Sequence, residues 1–164
     1  MHLTLELHSG TLLVHGHLAH VLVDSGATHS LVSPRLVAYF PVQPSKLEFY
    51  ITIKTPVGDE MVLDSVFQDC PIIISDHMLP QDLILLEFHE FDVVLGMNWL
   101  SKYKAVMDCF KKTVSFVLED GSTIKFRGTK GKRTPLLVAM IEDKSTEILV
   151  FDIPIIQEFQ DVFQ

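Results

Sequence analysis

Apolar and polar residues alternate with a period of two through the first 23 positions. Leu3, Leu5 and Leu7 interleave with Thr4, Glu6 and His8, which places the leucines on one face of a strand. Ser9-Gly10 and Gly16 divide the stretch that follows into a second strand, Thr11 to His15, and a third, Leu18 to Val23. The pattern then changes. Ser33-Pro34 reads as an N-cap followed by proline at the first helical position, and predicts a short helix from Arg35 to Phe40, ended by Pro41 and Pro44. Strand signals return at Leu47 to Thr55 and Glu60 to Phe67. Between them, Pro56-Val57-Gly58-Asp59 supplies the fixed and the positive φ values of a tight turn, so the two runs read as a hairpin. Short extended runs follow at Ile72 to Ile74, Leu83 to Leu86 and Phe91 to Leu95, with a helical turn or two from Asn98 to Tyr103. Ala105 to Cys109, Thr113 to Leu118 and Thr123 to Arg127 complete the series, with Asp120-Gly121 as a turn. Many short strands, frequent turns and little helix predict an all-β domain.

After residue 127 the texture is different. Gly128-Thr129-Lys130-Gly131-Lys132-Arg133 is polar, basic and glycine-containing, and reads as a linker. Ile155, Ile156, Phe159, Val162 and Phe163 then fall on one face of a helix expected just after Pro154. The expected division is a β domain over 1–127 and a linker with an appended segment over 128–164.

Composition narrows the class. In 164 residues, 48% are hydrophobic and 21% charged, enough to bury a core and too apolar for wholesale disorder. Thirteen Lys plus Arg stand against 21 Asp plus Glu, a formal net charge of -8. A duplex-binding surface needs an electropositive footprint, so no direct nucleic-acid partner is expected. Cys70 and Cys109 are the only cysteines and stand in no metal-binding spacing; they make no disulfide framework, which favours a reducing compartment. No apolar run reaches the roughly 18 residues of a membrane span, so no membrane partner is expected and the domain reads as soluble and intracellular.

The chemistry concentrates in two stretches. In Val21-Leu22-Val23-Asp24-Ser25-Gly26-Ala27-Thr28 an apolar strand delivers one carboxylate into a turn of small residues. Gly26 permits a sharp turn and Ala27 leaves room for close approach. An Asx-type turn begun by Asp24 would explain the tetrapeptide on structural grounds alone. A carboxylate at the end of a buried strand is nonetheless expensive without a purpose. The second stretch, Phe91-Asp92-Val93-Val94-Leu95-Gly96-Met97-Asn98-Trp99-Leu100, repeats the order of apolar strand, glycine and helical turn. The two look like halves of a duplicated unit, with the hairpin between them.

Apolar-Asp-Ser-Gly-Ala, then a hairpin with a glycine at its tip, then apolar-apolar-Gly-x-Asn-x-Leu resembles the retropepsins, the retroviral-type aspartic proteases. The wording from His17 to Ser30 and from Asp92 to Cys109 resembles the protease segment of gypsy-type long-terminal-repeat retrotransposon polyproteins, of the kind abundant in plants. Ile153 to Phe163 resembles the lead-in to the reverse transcriptase that follows there. The resemblance implies a retropepsin-like closed β-barrel with one or two short helices, working as a homodimer. It implies Asp24 as the catalytic residue, with Ser25, Gly26, Ala27 and Thr28 supporting its loop. Pro56, Val57, Gly58 and Asp59 would form the flap over the substrate, and Leu95, Gly96 and Asn98 the second apolar-glycine motif. Many gypsy-type elements carry Asp where this chain has Asn98, while retroviral relatives accept Asn.

Aspartic proteases activate water between two carboxylates that share a proton, because two acids at about 3 Å cannot both ionise. The chain holds a single Asp-Ser-Gly triplet, so a pepsin-like monomer is excluded and the pair must come from Asp24 of two copies. The expected function is an endopeptidase that processes a Gag-Pol polyprotein, cytoplasmic and within virus-like particles. Its partners would be a second copy of itself and extended polyprotein segments, with no cofactor. A dimeric binding domain of the same fold without catalysis is the alternative from another class, and a cellular retropepsin-like enzyme of the ubiquitin-shuttle kind is a third. Six of the eight histidines, His2, His8, His15, His17, His20 and His29, lie in the first thirty residues. His15 and His17 could share a strand face, but no Cys or acidic partner has a fitting spacing, so no metal is expected.

Overall fold

The computed structural model describes residues 7–54, 60–128, 137–139 and 146–151. β1 (Leu7–Val14) and β2 (His17–Asp24) form an antiparallel hairpin. His15 and Gly16 close it, both at positive φ (50° and 78°), the backbone that matches strand twist in a two-residue turn. β3 (Leu31–Val32) and the four-residue helix α1 (Pro34–Val37) follow. β4 (Ser45–Lys54) and β5 (Glu60–Cys70) make the expected second hairpin. β6 (Ile72–Ile74), β7 (His77–Met78), β8 (Gln81–Leu85) and β9 (Val93–Leu95) lead to α2 (Met97–Lys102). β10 (Val106–Asp108), β11 (Thr113–Val117) and β12 (Thr123–Arg127) then form a three-stranded antiparallel sheet. β13 (Leu137–Ala139) and β14 (Thr146–Phe151) return to the main sheet.

That main sheet has eleven strands in the order β13-β14-β4-β5-β8-β3-β9-β2-β1-β6-β7 and is curled. With two short helices among the described residues it is a retropepsin-like fold, as the resemblance implies. Its centre mixes directions: β9 lies parallel to β2 and antiparallel to β3, so strands from the two motif-bearing stretches sit side by side. The centre is buried on both faces, which is why Val21-Leu22-Val23 and Val93-Val94-Leu95 are continuous apolar runs rather than alternating ones. Trp99 on α2 anchors the core. It is fully buried, packs edge-on to Phe116 at 4.9 Å, and donates its indole N–H to the Leu79 carbonyl at 3.1 Å.

Several local expectations are corrected. β1 runs unbroken through Ser9-Gly10 rather than turning there. Gly10 is small for a different reason: a Cβ at that position would fall 2.6 Å from the ring tip of Phe126, which packs across the strand. The helix after Ser33-Pro34 stops at Val37 instead of Phe40. Beyond it, Tyr39 and Phe40 donate to carbonyls three residues back, a tightening into 3₁₀-type turns ahead of Pro41. β3 and β7, two residues each, and the tail strands β13 and β14 are additional to the sequence reading. Leu3 and Leu5, the hairpin tip Pro56-Val57-Gly58-Asp59 and the helix expected after Pro154 lie outside the described residues.

Candidate active site

β2 is flanked by β1 on one side and β9 on the other, and its last residue is Asp24. The side chain is fully buried. Its Oδ1 accepts the Gly26 N–H at 2.8 Å, and its backbone carbonyl accepts the Ala27 N–H at 3.2 Å. The Asx-type turn is therefore present, and glycine and alanine are what let the chain fold back that sharply. The turn satisfies only half of the carboxyl. Oδ2 is buried with no hydrogen-bond partner among the described residues. Burial pushes the Asp24 carboxyl from its ordinary 3.8 up to about 7, against the opposing pull of the Gly26 and Ala27 amides.

The second motif locks onto the loop that carries Asp24. The Met97 N–H donates to the Ala27 carbonyl at 2.7 Å, and the Asn98 N–H to the Thr28 carbonyl at 3.2 Å. Gly96 sits where these strands cross. A Cβ there would lie 2.6 Å from the Ala27 carbonyl oxygen and closer still to that of His29. Leu95 is fully buried and pairs with Val23. Ser25 and Thr28 are half-buried in the loop, and the Thr28 hydroxyl lies 3.0 Å from Nδ1 of His29.

Ser30 was not among the candidates, yet it joins the two halves. Its hydroxyl accepts the Gly96 N–H at 3.0 Å and donates to Asn98 Oδ1 at 2.8 Å, fully buried. Only an acceptor oxygen is needed at position 98 for this bond, which Asn and Asp both offer. The signal in sequence was a small polar residue heading the otherwise apolar pair Leu31-Val32.

The structure thus brings together Asp24, Ser25, Gly26, Ala27, Thr28, Leu95, Gly96 and Asn98. The family model described as Retroviral aspartyl protease matches residues 3–122, a span that holds all of these residues. The chain belongs to the retroviral aspartyl protease family. Among curated proteins this family member is similar to DNA damage-inducible protein 1 of Neurospora crassa, 28% identical over 115 residues, 70% of this chain and 25% of that protein. It is also similar to DNA damage-inducible protein 1 of Candida glabrata, 27% identical over 115 residues, 70% of this chain and 26% of that protein. The chain spans about a quarter of the length of these relatives. Among solved structures it is similar to the retroviral protease-like domain of Ddi1 from Leishmania major, with a TM-score of 0.49 and 14% identity over 74% of this chain and 94% of that one.

In this aspartyl protease-family domain His15 and His17 each pack against an aromatic ring. His15 lies in the β1–β2 turn with its ring 4.4 Å from Phe40, while His17 faces Tyr39 at 5.3 Å. Burial, and then the neighbouring His17, hold the His15 pKa below its ordinary value. Among the described residues no group of three or more His, Cys, Asp or Glu side chains is gathered that could hold a metal ion.

The two glycines separate packing from site geometry. Gly96→Ala meets backbone carbonyls that cannot move without breaking the loop, and should cost about 3 kcal/mol. Gly10→Ala meets the tip of one ring that can tilt, and should cost only about 1 kcal/mol. Urea unfolding of the two variants tests the order; equal losses would mean that the crossing at Gly96 is not rigid.

Proposed function

We propose that this domain is an aspartic endopeptidase whose site is completed by Asp24 of a second copy. The observation that carries the reading is the Asp24 carboxyl itself. It is fully buried and raised to about 7, with one oxygen held by the turn and the other without a partner among the described residues. A half-satisfied buried carboxyl is costly in a purely structural role. It is the arrangement wanted where a second carboxyl and a water are to be met.

In the two-copy site, one Asp24 keeps its proton while the other, ionised, takes a proton from water as it attacks the peptide carbonyl. The protonated partner can donate to the carbonyl oxygen. Ser25 and the Gly26 amide hold the carboxyl plane, and the β4–β5 hairpin covers an extended peptide that is read by main-chain hydrogen bonds and alternating side-chain pockets. The bound segments would belong to a Gag-Pol polyprotein of a gypsy-type retrotransposon, matured in the cytoplasm within virus-like particles, with residues 128–164 leading toward the reverse transcriptase. The likeness to DNA damage-inducible protein 1 favours a second reading, a cellular protease of the same mechanism with another substrate.

Cleavage of a Gag-derived peptide library, with Asp24→Asn as control, is the test. Selective cleavage of Gag-derived sites supports polyprotein processing, whereas activity confined to unrelated peptides favours the cellular reading. No cleavage at all leaves a binding domain of the same fold. Sedimentation during turnover should show a dimer as the active species; a strict monomer with pepstatin-sensitive activity would contradict the shared pair.

A further inference from the structure

The β4–β5 hairpin is unevenly supported. At its base, Val66, Phe67 and Cys70 of β5 pair with β8, which ties that end into the main sheet. Toward the tip, Ile51 to Lys54 pair with Glu60 to Leu63, and β8 no longer reaches them. A two-stranded ribbon of that kind is marginally stable by itself in water. Its outer strand, β4, would also present a row of unpaired backbone groups, an edge that folded proteins normally cover.

The tail supplies the missing neighbour. β14 lies parallel to β4 with Thr146 opposite Ile51, Glu147 opposite Thr52, Ile148 opposite Ile53 and Leu149 opposite Lys54. β13 pairs antiparallel with the other edge of β14. The contact therefore falls on the tip-ward half of the hairpin, the half that β8 leaves unsupported. Burial agrees with this. Ile51 and Thr52 point to opposite faces of β4, yet both are buried, whereas Val62, opposite Thr52 on β5, is 59% exposed.

We propose that the tail strand 146–151 is a built-in brace that stiffens the hairpin covering the substrate, so that residues 128–164 bear on peptide binding. The proposal rests on the hairpin being the flap of an endopeptidase. It also refines the expected division at residue 127. A chain ending there should keep the core, because among the described residues no strand of the 1–127 region other than β4 pairs with the tail; it should also have a loosened hairpin.

Hydrogen exchange on the full chain tests the brace without requiring catalysis. In the intact protein, successive amides of Ile51 to Lys54 face β5 and β14 in alternation, and both sets should be protected. Glu147→Pro and Ile148→Pro each disrupt β14, and at least one must remove an N–H that faces β4. Exchange at 51–54 and 61–63 should then rise by about tenfold or more, while Val21–Val23 and Val93–Leu95 stay unchanged. KM for a cleaved peptide should rise several-fold, with a smaller change in kcat. Unprotected outward amides at 51–54 in the intact chain would overturn the proposal. So would unchanged exchange in both proline variants, or faster exchange with an unchanged KM. An intact chain that cleaves nothing would count against the endopeptidase reading and leave the exchange result standing.

Discussion

Asp24→Asn should lose peptide cleavage by at least about 10⁴-fold while keeping the fold, since removal of an essential proton-transfer group leaves only binding and positioning. Asn retains an oxygen for the Gly26 N–H and the shape of the turn, so the strands around it have no reason to move. Ser25→Ala should cost much less, because in the proposed site the hydroxyl orients the pair and transfers no proton. The same Asp24→Asn variant has a second expected signature, in stability. Asp24 is raised from 3.8 to about 7 by burial, so its contribution to stability is fully present below 3.8 and drains away as pH rises to about 7. Asn does not titrate. The variant and the wild-type chain should therefore be close in stability at pH 4, and at pH 8 the variant should be more stable by up to about 4 kcal/mol. Urea unfolding at the two pH values measures this. Parallel pH dependences would mean that the Asp24 carboxyl is not buried as described.

The pH dependence of cleavage should be a bell with its optimum on the acidic side of neutrality. Bringing a second Asp24 against the first splits the titration into one low and one raised apparent pKa, both properties of the pair. In the proposed mechanism only the singly protonated pair is active, so the rate rises through the lower value and falls through the upper. Burial already raises a single Asp24 well above the ordinary carboxylate range, which moves the falling limb toward neutrality. Peptide cleavage from about pH 4 to 8 brackets the descending limb of such pairs. A rate still rising at pH 8 would exclude a shared proton and leave the binding-domain reading in front.

What the sequence revealed was what contiguous residues decide. Asp24 at the end of an apolar strand, the small residues after it, the glycine of Leu95-Gly96 and the turn at Asp120-Gly121, where Gly121 has a φ of 86°, all have local causes. What it hid has distant causes. Gly10 looked like a turn residue because the Phe126 ring that excludes a side chain there comes from the last strand of the other sheet. Ser30 carries no local mark of its role because its partners, Gly96 and Asn98, belong to the second motif. β3 and β7 are too short to show any period, and β14 finds its parallel partner β4 across most of the chain.

The central claim is that each active site needs two Asp24 side chains from two chains. Mixing wild-type protein with Asp24→Asn at constant total concentration, after the subunits have exchanged, tests it directly. If pairs form at random and only the wild-type pair is active, an equal mixture should retain about a quarter of the wild-type rate, following the square of the wild-type fraction. A rate of about one half, linear in that fraction, would mean that each chain acts alone, and about three quarters that one Asp24 per pair suffices; either would contradict the account.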